Sequence, residues 1–317
     1  MGLTFNGKTP ESITIGGKAV ASLSINGDVV WPEIPSGPDY FYIENVDEDG
    51  QGENLVAVAK YGSPSTGSDL SYSLDGDNWN LCEFEGGICI IYGLLGYGDK
   101  VYFRSSTGFS ESDSKYYVFG ADYPHSVGGD IRTLFNYQNI NSITNVNCPN
   151  LFFYDATLID ASNLDCSRVE TICFPDAYSP PSYYYSWSNA FDGCESLISP
   201  PIFGNLKTIW YLGAHNVFRD CVSLTSPVDL SSVTSVRYRM GGMNIISGLD
   251  SFYDGCSSLS NIIAPNVSTW SSDSSNGYIA YNWVHGVNSI GTMHCPTGLS
   301  IPTGNHGIPS GWTRVDY

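Results

Sequence analysis

Short runs of alternating apolar and polar residues fill the chain from Tyr40 to about Asp122, and clusters of Gly, Asp, Asn, Ser or Pro separate these runs. The runs Leu55–Ala59 and Lys100–Arg104 have the alternation and the aromatic or β-branched content that strands prefer. About six or seven such strands over about eighty residues are typical of a small two-sheet sandwich. The pattern therefore predicts an immunoglobulin- or fibronectin-like β-sandwich over residues 36–124.

The first 31 residues carry a finer pattern. Phe5–Lys8, Ile15–Lys18 and Ile25–Asp28 recur with a period of ten and have Asn-Gly or Gly-Gly at the centre. These dipeptides favour two-residue hairpin turns. A meander this short buries too little apolar surface to be stable alone, so we expect it to pack on a larger body. Because the proline-rich stretch 32–38 is a stiff linker, residues 1–35 are predicted to form a β-hairpin module with its linker.

Beyond residue 124 one sequence motif occurs three times, in Ala190–Leu197, Val217–Leu224 and Phe252–Leu259. Each copy places an aromatic residue, a cysteine and a leucine three residues apart, and the copies are separated by 27 and 35 residues. Such recurrence is typical of a stacked array, in which each unit buries its apolar edge against its neighbours. The residues predicted to form this repeat core are Phe191, Cys194, Leu197, Phe218, Cys221, Leu224, Tyr253, Cys256 and Leu259.

A second repeated element accompanies the first. Leu164–Ile172 aligns with Val228–Val236, and Asn266–Trp270 resembles a third copy. Ahead of these copies, apolar residues recur with a period of three that neither a helix nor a simple strand explains: Leu134, Tyr137, Ile140, Ile143 and Val146. We interpret that period as a solenoid that turns a corner every few residues, and we predict a solenoid over residues 125–317.

The order Phe-x-x-Cys-x-x-Leu, followed by an apolar-Pro corner, resembles the leucine-rich repeats of BspA-type bacterial surface proteins. The corners here are Pro200–Pro201, Pro227 and Pro265. The resemblance covers about residues 125–295 and implies a right-handed solenoid used in adhesion. The expected fold class is therefore mainly β, with an N-terminal β-hairpin module, an immunoglobulin-like β-sandwich and a C-terminal leucine-rich-repeat-like solenoid.

The layout of the whole chain is similar to virion proteins of Bacteroidales-infecting crAss-like phages. The shared motifs are the Ile-x-Gly-Lys-type hairpins ending in Val30–Trp31, the Tyr-Ser-x-Asp-Gly-x-x-Trp motif of Tyr72–Trp79, Val101–Arg104 and the ending Ile308–Trp312. This resemblance implies that the first segment anchors the chain in the virion and that the repeats form a distal adhesin. The residues expected to serve the anchoring are Phe5, Ile15, Ile25 and Trp31.

Charge narrows the range of partners. The formal net charge is −19, so the field around the chain repels phosphate backbones and acidic membrane faces, and we expect no nucleic-acid partner. The most apolar stretch, Ile88–Leu95, is too short to cross a bilayer, and the N-terminus has no secretory signal pattern, so no membrane insertion is expected. Synthesis in a cytoplasm would keep the nine cysteines mostly reduced, and we expect them to be buried as small apolar groups.

An aromatic run supplies the candidate binding residues. Aromatic rings pack well on the C–H faces of sugars, so Tyr183, Tyr184, Tyr185 and Trp187 are candidate glycan contacts. A loop whose rings are alternately exposed and buried has the same sequence pattern, and both interpretations stay open.

The sequence contains little that indicates chemistry. The five histidines show no metal-ligand spacing, and no nucleophile or dinucleotide motif occurs, so we expect no enzyme, no cofactor and no metal. The acidic clusters Asp47–Glu53 and Asp75–Asn78 lack the spacing of a calcium-binding EF-hand and are interpreted as solvated turns. Asp192 and Glu195 are carboxylates that a glycoside hydrolase would pair, although turn capping also explains Asp192.

Together these features predict a structural phage protein of a tail or fibre-like appendage, assembled into the virion in the host cytoplasm. Its expected partners are other virion proteins, reached through the N-terminal module, and a host-surface glycan or protein, reached through the repeats. Copies are expected to associate, most simply as a trimer, although the chain has no heptads that specify one. The alternatives are a purely structural virion scaffold component, a bacterial cell-surface adhesin and a capsule depolymerase.

Overall fold

The structure is a computed structural model of the chain. It describes residues 14–15, 18–19, 23–25, 28–31, 39–48, 55–61, 70–92, 96–106, 116–143, 146, 148, 150–172, 187–210, 213–236, 238–241, 244–268, 270 and 280–317. The chain divides into two compact units, Met1–Asp39 and Tyr40–Tyr317.

The described residues of the first unit form two antiparallel strand pairs. The strands are β1 (Thr14–Ile15), which pairs with β2 (Lys18–Ala19), and β3 (Leu23–Ile25), which pairs with β4 (Asp28–Trp31). Each pair flanks one of the Gly-Gly or Asn-Gly dipeptides that predicted a hairpin turn.

The second unit begins with two sheets, and we call residues 40–130 the two-sheet region. Its strands and the neighbouring β13 are β5 (Phe41–Asn45), β6 (Leu55–Tyr61), β7 (Ser71–Ser73), β8 (Asn80–Leu81), β9 (Ile88–Tyr92), β10 (Lys100–Arg104), β11 (Tyr116–Ala121), β12 (His125–Asp130) and β13 (Leu158–Asp165). One sheet has six strands in the order β13-β12-β5-β10-β7-β8, and the other has three in the order β11-β6-β9.

The two sheets enclose a common apolar core. Alternate residues of β9 and β10 are buried, because successive side chains of a strand point to opposite faces of the sheet. The ring of Phe119 in β11 lies 5.1 Å from the rings of both Phe41 in β5 and Phe103 in β10, measured between centroids. The prediction of a mainly β protein is confirmed, since the helical elements of the described residues are very short.

Strand β12 joins the two-sheet region to the rest of the second unit. It pairs antiparallel with β5 on one side and parallel with β13 on the other, and all six of its residues are buried. The predicted boundary between residues 124 and 125 is therefore corrected, because it would cut through a single sheet and a single compact unit.

A helical turn follows β12. The helix α1 (Thr133–Asn136) and a 3₁₀ turn at Ile140–Ser142 occupy the stretch whose period of three we interpreted as a solenoid corner. That interpretation is wrong for this stretch, because a 3₁₀ helix itself has three residues per turn and produces the same spacing locally.

We call residues 150–317 the stacked region. Its later strands are short: β14 (Thr171–Ile172), β15 (Thr208–Ile209), β16 (Ser235–Val236), β17 (Tyr238–Gly241), β18 (Asn244–Ser247), β19 (Asn261–Ile263), β20 (Thr292–Cys295) and β21 (Thr313–Asp316). The sheets β14-β15-β16 and β19-β20-β21 are parallel, and β17 and β18 form an antiparallel pair. Successive passes of the chain therefore lie side by side in one direction.

Isolated parallel bridges extend this arrangement from β13. They join Asp160 to Ser199, Asp165 to Ile202 and Asp229 to Ile263. Because β14 and β16 both pair with β15, a further pass that ends at Thr208–Ile209 lies between the two copies that the sequence aligned. The sequence missed this middle copy, which has Gly204 where the others have Ser167 and Ser231.

Candidate binding surface

Five turns of the described stacked region share one backbone conformation. In each turn the first and the fifth residue have positive φ, and all these φ values lie between 48° and 81°. These ten residues are Asn150, Tyr154, Asn189, Gly193, Asn216, Asp220, Ser251, Gly255, Asn282 and Gly286. Asn and Gly tolerate this left-handed region best, which explains why they dominate the set.

We call the segments 150–154, 189–193, 216–220, 251–255 and 282–286 the stacked turns. The sequence predicted the middle three and missed the first and last, which have no cysteine after the turn. The signal that the missed turns share with two of the other three is the asparagine at the first position, which is replaced by Ser251 in the turn 251–255.

Backbone hydrogen bonds connect each stacked turn to the next. At the third position, the amide of Phe152 donates to the carbonyl of Ala190 at 2.7 Å, that of Phe191 to Val217 at 2.9 Å, that of Phe218 to Phe252 at 3.0 Å and that of Tyr253 to Trp283 at 2.7 Å. These buried amides therefore find partners without long strands.

A column of aromatic rings runs through the interior of the turns. Its members are Phe152, Phe191, Phe218 and Tyr253, and successive ring centroids are 5.7, 5.3 and 5.9 Å apart. All four side chains are fully buried. Each stacked pair contributes roughly 0.5–1.5 kcal/mol beyond the burial of its area, so the column holds neighbouring turns in register.

The cysteines form a second column. Each thiol donates to a carbonyl of the preceding turn, Cys194 to Phe152 at 2.9 Å, Cys221 to Phe191 at 3.0 Å and Cys256 to Phe218 at 2.9 Å. Burial raises the pKa of all three thiols above the ordinary value, so they stay protonated. The eight cysteines of the described residues are free and buried.

The nine residues predicted for the repeat core all lie inside the stacked region. Each has an exposed fraction of 0 %, including the three leucines at positions 197, 224 and 259. Tyr253, which departs from the preferred Phe, keeps its hydroxyl satisfied by accepting a hydrogen bond from the amide of Val228 at 2.8 Å. The buried polar atom therefore has a partner.

The outer side of the stacked turns carries charged groups in register. Arg219 reaches the buried carboxylate of Asp192 in the preceding turn, with Nε 2.8 Å from Oδ1. Burial raises the pKa of Asp192, and Arg219 acts against that rise. In the last two turns, His285 Nδ1 lies 2.6 Å from Oδ1 of Asp254.

A second acid–imidazole pair lies just before the turns. His215 Nδ1 is 3.8 Å from Oδ2 of Asp250, and neither His215 Nδ1 nor Asp250 Oδ1 has a hydrogen bond. Burial, followed by repulsion from Asp254, raises the pKa of Asp250 to about 7. Burial also lowers the pKa of His215, so both groups favour their neutral forms.

We call the fourth and fifth positions of the stacked turns the turn face. Its partly or fully exposed side chains are Phe153, Tyr154, Arg219, Asp220, Asp254 and His285. The ring of Tyr154 lies against Gly193, and the carboxylate of Asp220 lies against Gly255, so neither glycine leaves room for a Cβ. Rings and charges are thus presented on a rigid hydrogen-bonded column, which suits recognition of a polar ligand.

An open groove of about 360 Å³ lies on another side of the stacked region. Its walls include hydroxyls, the carboxylate of Asp229 and the corner prolines Pro200, Pro201 and Pro227. Two of the three predicted apolar-Pro corners, Pro200–Pro201 and Pro227, therefore line a surface depression.

The candidate glycan contacts have different locations. Tyr183, Tyr184 and Tyr185 lie outside the described residues. Trp187 is fully buried and packs on Phe191 and Phe203, with ring centroids 6.3 and 5.0 Å away. The prediction that Trp187 contacts a glycan is wrong, because its ring fills the interior of the second stacked turn.

The predicted anchoring residues belong to the first unit. Ile15 lies in β1, Ile25 in β3 and Trp31 in β4, whereas Phe5 lies outside the described residues.

The acidic turn at Asp75 is closed by its own hydrogen bonds. The carboxylate of Asp75 accepts from the amides of Asp77 and Asn78, at 2.9 and 2.7 Å, and from the hydroxyl of Ser73. These bonds lower the pKa of Asp75, led by the amide of Asn78. Of the two carboxylates considered for hydrolysis, Asp192 is buried in its pair with Arg219 and Glu195 is exposed.

No protein-family model, curated protein or solved structure matches this chain significantly. Within the described residues, no helix has the length and apolar character needed to cross a bilayer. The functional argument therefore depends on the surfaces themselves. The described part of the stacked region presents an aligned surface of exposed side chains on stacked turns.

Proposed function

We propose that this chain is a structural protein of a phage virion, located in a tail or fibre-like appendage, whose stacked region attaches to a host surface or to neighbouring subunits. The observation that carries the proposal is the register of the five stacked turns, which aligns the exposed side chains that four of these turns contribute to the turn face. Stacked arrays of this kind build extended binding surfaces from equivalent positions.

We also propose the finer fold that this function implies. The two-sheet region is an immunoglobulin-like β-sandwich, and the stacked region is a leucine-rich-repeat-like solenoid of the BspA type. Parallel pairing between successive passes and the buried columns of rings and thiols support the second assignment. Two sheets with a shared core support the first.

The first unit is proposed to anchor the chain in the particle. Its two strand pairs form a compact unit of their own, which is the property expected of an adaptor that docks on another protein. We therefore expect deletion of residues 1–31 to abolish incorporation into particles while the remainder stays soluble.

Copies of the chain are proposed to associate, as a trimer in the simplest arrangement. The outer side of β9 exposes Ile88, Ile90 and Tyr92, and their neighbours on β6 and β11 are small or apolar, such as Ala57 and Val118. No charge lies on these described positions, so two copies with a net charge of −19 repel each other least there. Sedimentation of Ile90→Lys should show a smaller species than the unmodified chain.

The test of the proposed function is a density map of the purified phage particle, with the full chain located in it. We expect the first unit at the particle and the stacked turns directed outward, and labelled full chain should bind host cells. A stacked region covered by other particle proteins would identify a purely structural scaffold. Absence of the chain from every particle would refute the proposal.

A further inference from the structure

An arginine lies among three aromatic rings on the outer side of the six-stranded sheet. The guanidinium carbon of Arg104 is 3.9 Å from the ring centroid of Trp79, 4.4 Å from that of Tyr137 and 5.8 Å from that of Tyr40. Tyr40 and Trp79 also meet edge to face, with centroids 4.6 Å apart. All four side chains are partly exposed, and we call them the aromatic cage.

Four separate segments build this cage. Arg104 ends β10, Trp79 precedes β8, and Tyr40 pairs with Asp130 just before β5. Tyr137 follows α1, and its amide donates to the carbonyl of Ser105 at 3.0 Å. The cage is therefore held by the sheet and the helix on both sides, which gives the guanidinium a fixed orientation.

The electrostatic setting of Arg104 differs from that of five other basic side chains. Carboxylates pair with Lys100, Arg132, Lys207, Arg219 and Arg314. Within the described part of the chain, Arg104 has no ion pair and a single long hydrogen bond, 3.4 Å from Nη1 to the hydroxyl of Tyr40. A guanidinium has five N–H donors, so most of the donors of Arg104 remain available in a strongly acidic protein.

We propose that the aromatic cage binds the carboxylate of an acidic sugar. The planar fork of a guanidinium matches a carboxylate through two parallel hydrogen bonds, and stacking between rings fixes its plane in advance. The exposed parts of Trp79, Tyr137 and Tyr40 are available to the C–H face of the sugar ring that carries the carboxylate. A long polyphosphate such as nucleic acid is disfavoured, because the net charge of −19 repels it.

This site goes beyond the proposed attachment by the stacked turns, since its residues lie in the two-sheet region and just after α1, outside the stacked region, and it requires no particle. It also differs from the aromatic run at residues 183–187, because its rings surround a cation.

The test is titration of the full chain with three acidic probes: a trigalacturonate, a glucuronate-ended oligosaccharide and sialyllactose. The neutral control is the carboxyl-reduced trigalacturonate. We expect at least one acidic probe to bind and to shift the indole resonance of Trp79. If trigalacturonate binds, its carboxyl-reduced form should bind at least about tenfold more weakly. Arg104→Lys keeps the charge but loses the fork, and it should weaken binding by about tenfold or more.

Two variants complete the design. Trp79→Ala should also weaken binding, while Arg314→Lys, at a partly exposed arginine that is paired with Asp316 and lies outside the cage, should leave affinity unchanged. Melting temperatures show whether each variant is folded, and the indole shift of the unmodified chain tests binding without any variant. No binding by the three acidic probes at about 10 mM overturns the proposal. The proposal is also overturned if the carboxyl-reduced sugar or an acidic peptide binds as tightly as the acidic sugar. It is overturned as well if Arg104→Lys binds the acidic sugar as tightly as the unmodified chain does.

Discussion

The two-sheet region and the stacked region satisfy their backbones in different ways. In the two-sheet region, strands of up to seven residues pair over most of their length, and alternation divides each strand between core and surface. In the stacked region, strands after β13 have two to four residues, and turns carry much of the hydrogen bonding from one pass to the next. A defect in a two-sheet strand affects one face, whereas a defect in a stacked turn reaches the turns on both sides.

The largest expected effect comes from a charge in the thiol column. Cys221→Asp should unfold the stacked region, because an unpaired buried carboxylate costs several kcal/mol and the thiol has no exposed surface. Cys221→Ala, the matched control, should cost only about 1–2 kcal/mol. Urea unfolding followed by circular dichroism measures both. A folded Cys221→Asp variant would mean that this position does not lie in the core.

Two glycines, one in each region, should differ in the stability that is lost when alanine replaces them. Gly193 and Gly86 both have positive φ, but only at Gly193 would a Cβ overlap a neighbouring ring, that of Tyr154, while at Gly86 the space is open. Gly86→Ala should therefore cost about 1 kcal/mol for backbone strain alone, and Gly193→Ala about 2–4 kcal/mol. Equal melting temperatures for the two variants would contradict the tight stacking of the turns.

Two ion pairs provide a smaller contrast. Arg219→Met leaves Asp192 buried without its partner and should cost about 2 kcal/mol, less than a fully buried pair because the Arg219 side chain is 34 % exposed. Lys100→Met in the two-sheet region breaks a pair whose side chains are 30 % and 25 % exposed, and should cost under about 1 kcal/mol. The denaturant midpoints of the two variants measure both costs. A lower midpoint for Lys100→Met than for Arg219→Met would contradict the comparison.

The smallest expected effect is a pH dependence in the stacked region. The folded chain keeps the proton of Asp250 up to about pH 7, whereas the ordinary pKa is 3.8. Because the unfolded chain binds fewer protons between these values, the stability from this group is complete below about pH 4 and is lost as the pH rises to about 7. Burial lowers the pKa of His215 below its ordinary value of 6.5, so the folded chain binds fewer protons at this group than the unfolded chain does. The stability from His215 is therefore complete above about pH 6.5 and is lost as the pH falls.

Asp250→Asn isolates the acid. Relative to the unmodified chain, the variant should gain about 1 kcal/mol on going from pH 4 to pH 8, since water reaches part of the carboxylate and reduces its cost. Unfolding free energies at the two pH values measure the difference. A constant difference between variant and unmodified chain would show that Asp250 has an ordinary environment.

The sequence predicted the parts of the fold whose patterns are local. Alternation identified strands such as β10, and the repeated motif around Cys194, Cys221 and Cys256 identified the buried core of three turns. It missed the turns at 150–154 and 282–286, because their register is set by hydrogen bonds to neighbouring passes and not by their own cysteines.

The binding residues were less accessible to prediction. Whether an aromatic ring is exposed depends on which pass packs beside it, so Trp187 was assigned to the surface although Phe191 and Phe203 cover it. The aromatic cage joins Tyr40, Trp79, Arg104 and Tyr137 across long separations in sequence, and no local pattern marks it. The domain boundary failed for a similar reason, because the two partners of β12 lie far apart in the chain.

Amide hydrogen exchange of the full chain tests most directly the central claim, that the stacked turns form one rigid array continuous with the two-sheet region. The amides of Phe152, Phe191, Phe218 and Tyr253 should be protected as strongly as those of β5 and β10, and should exchange in the same cooperative unfolding event. Exchange of these four amides at the rate of an open loop, while β5 and β10 stay protected, would contradict the account.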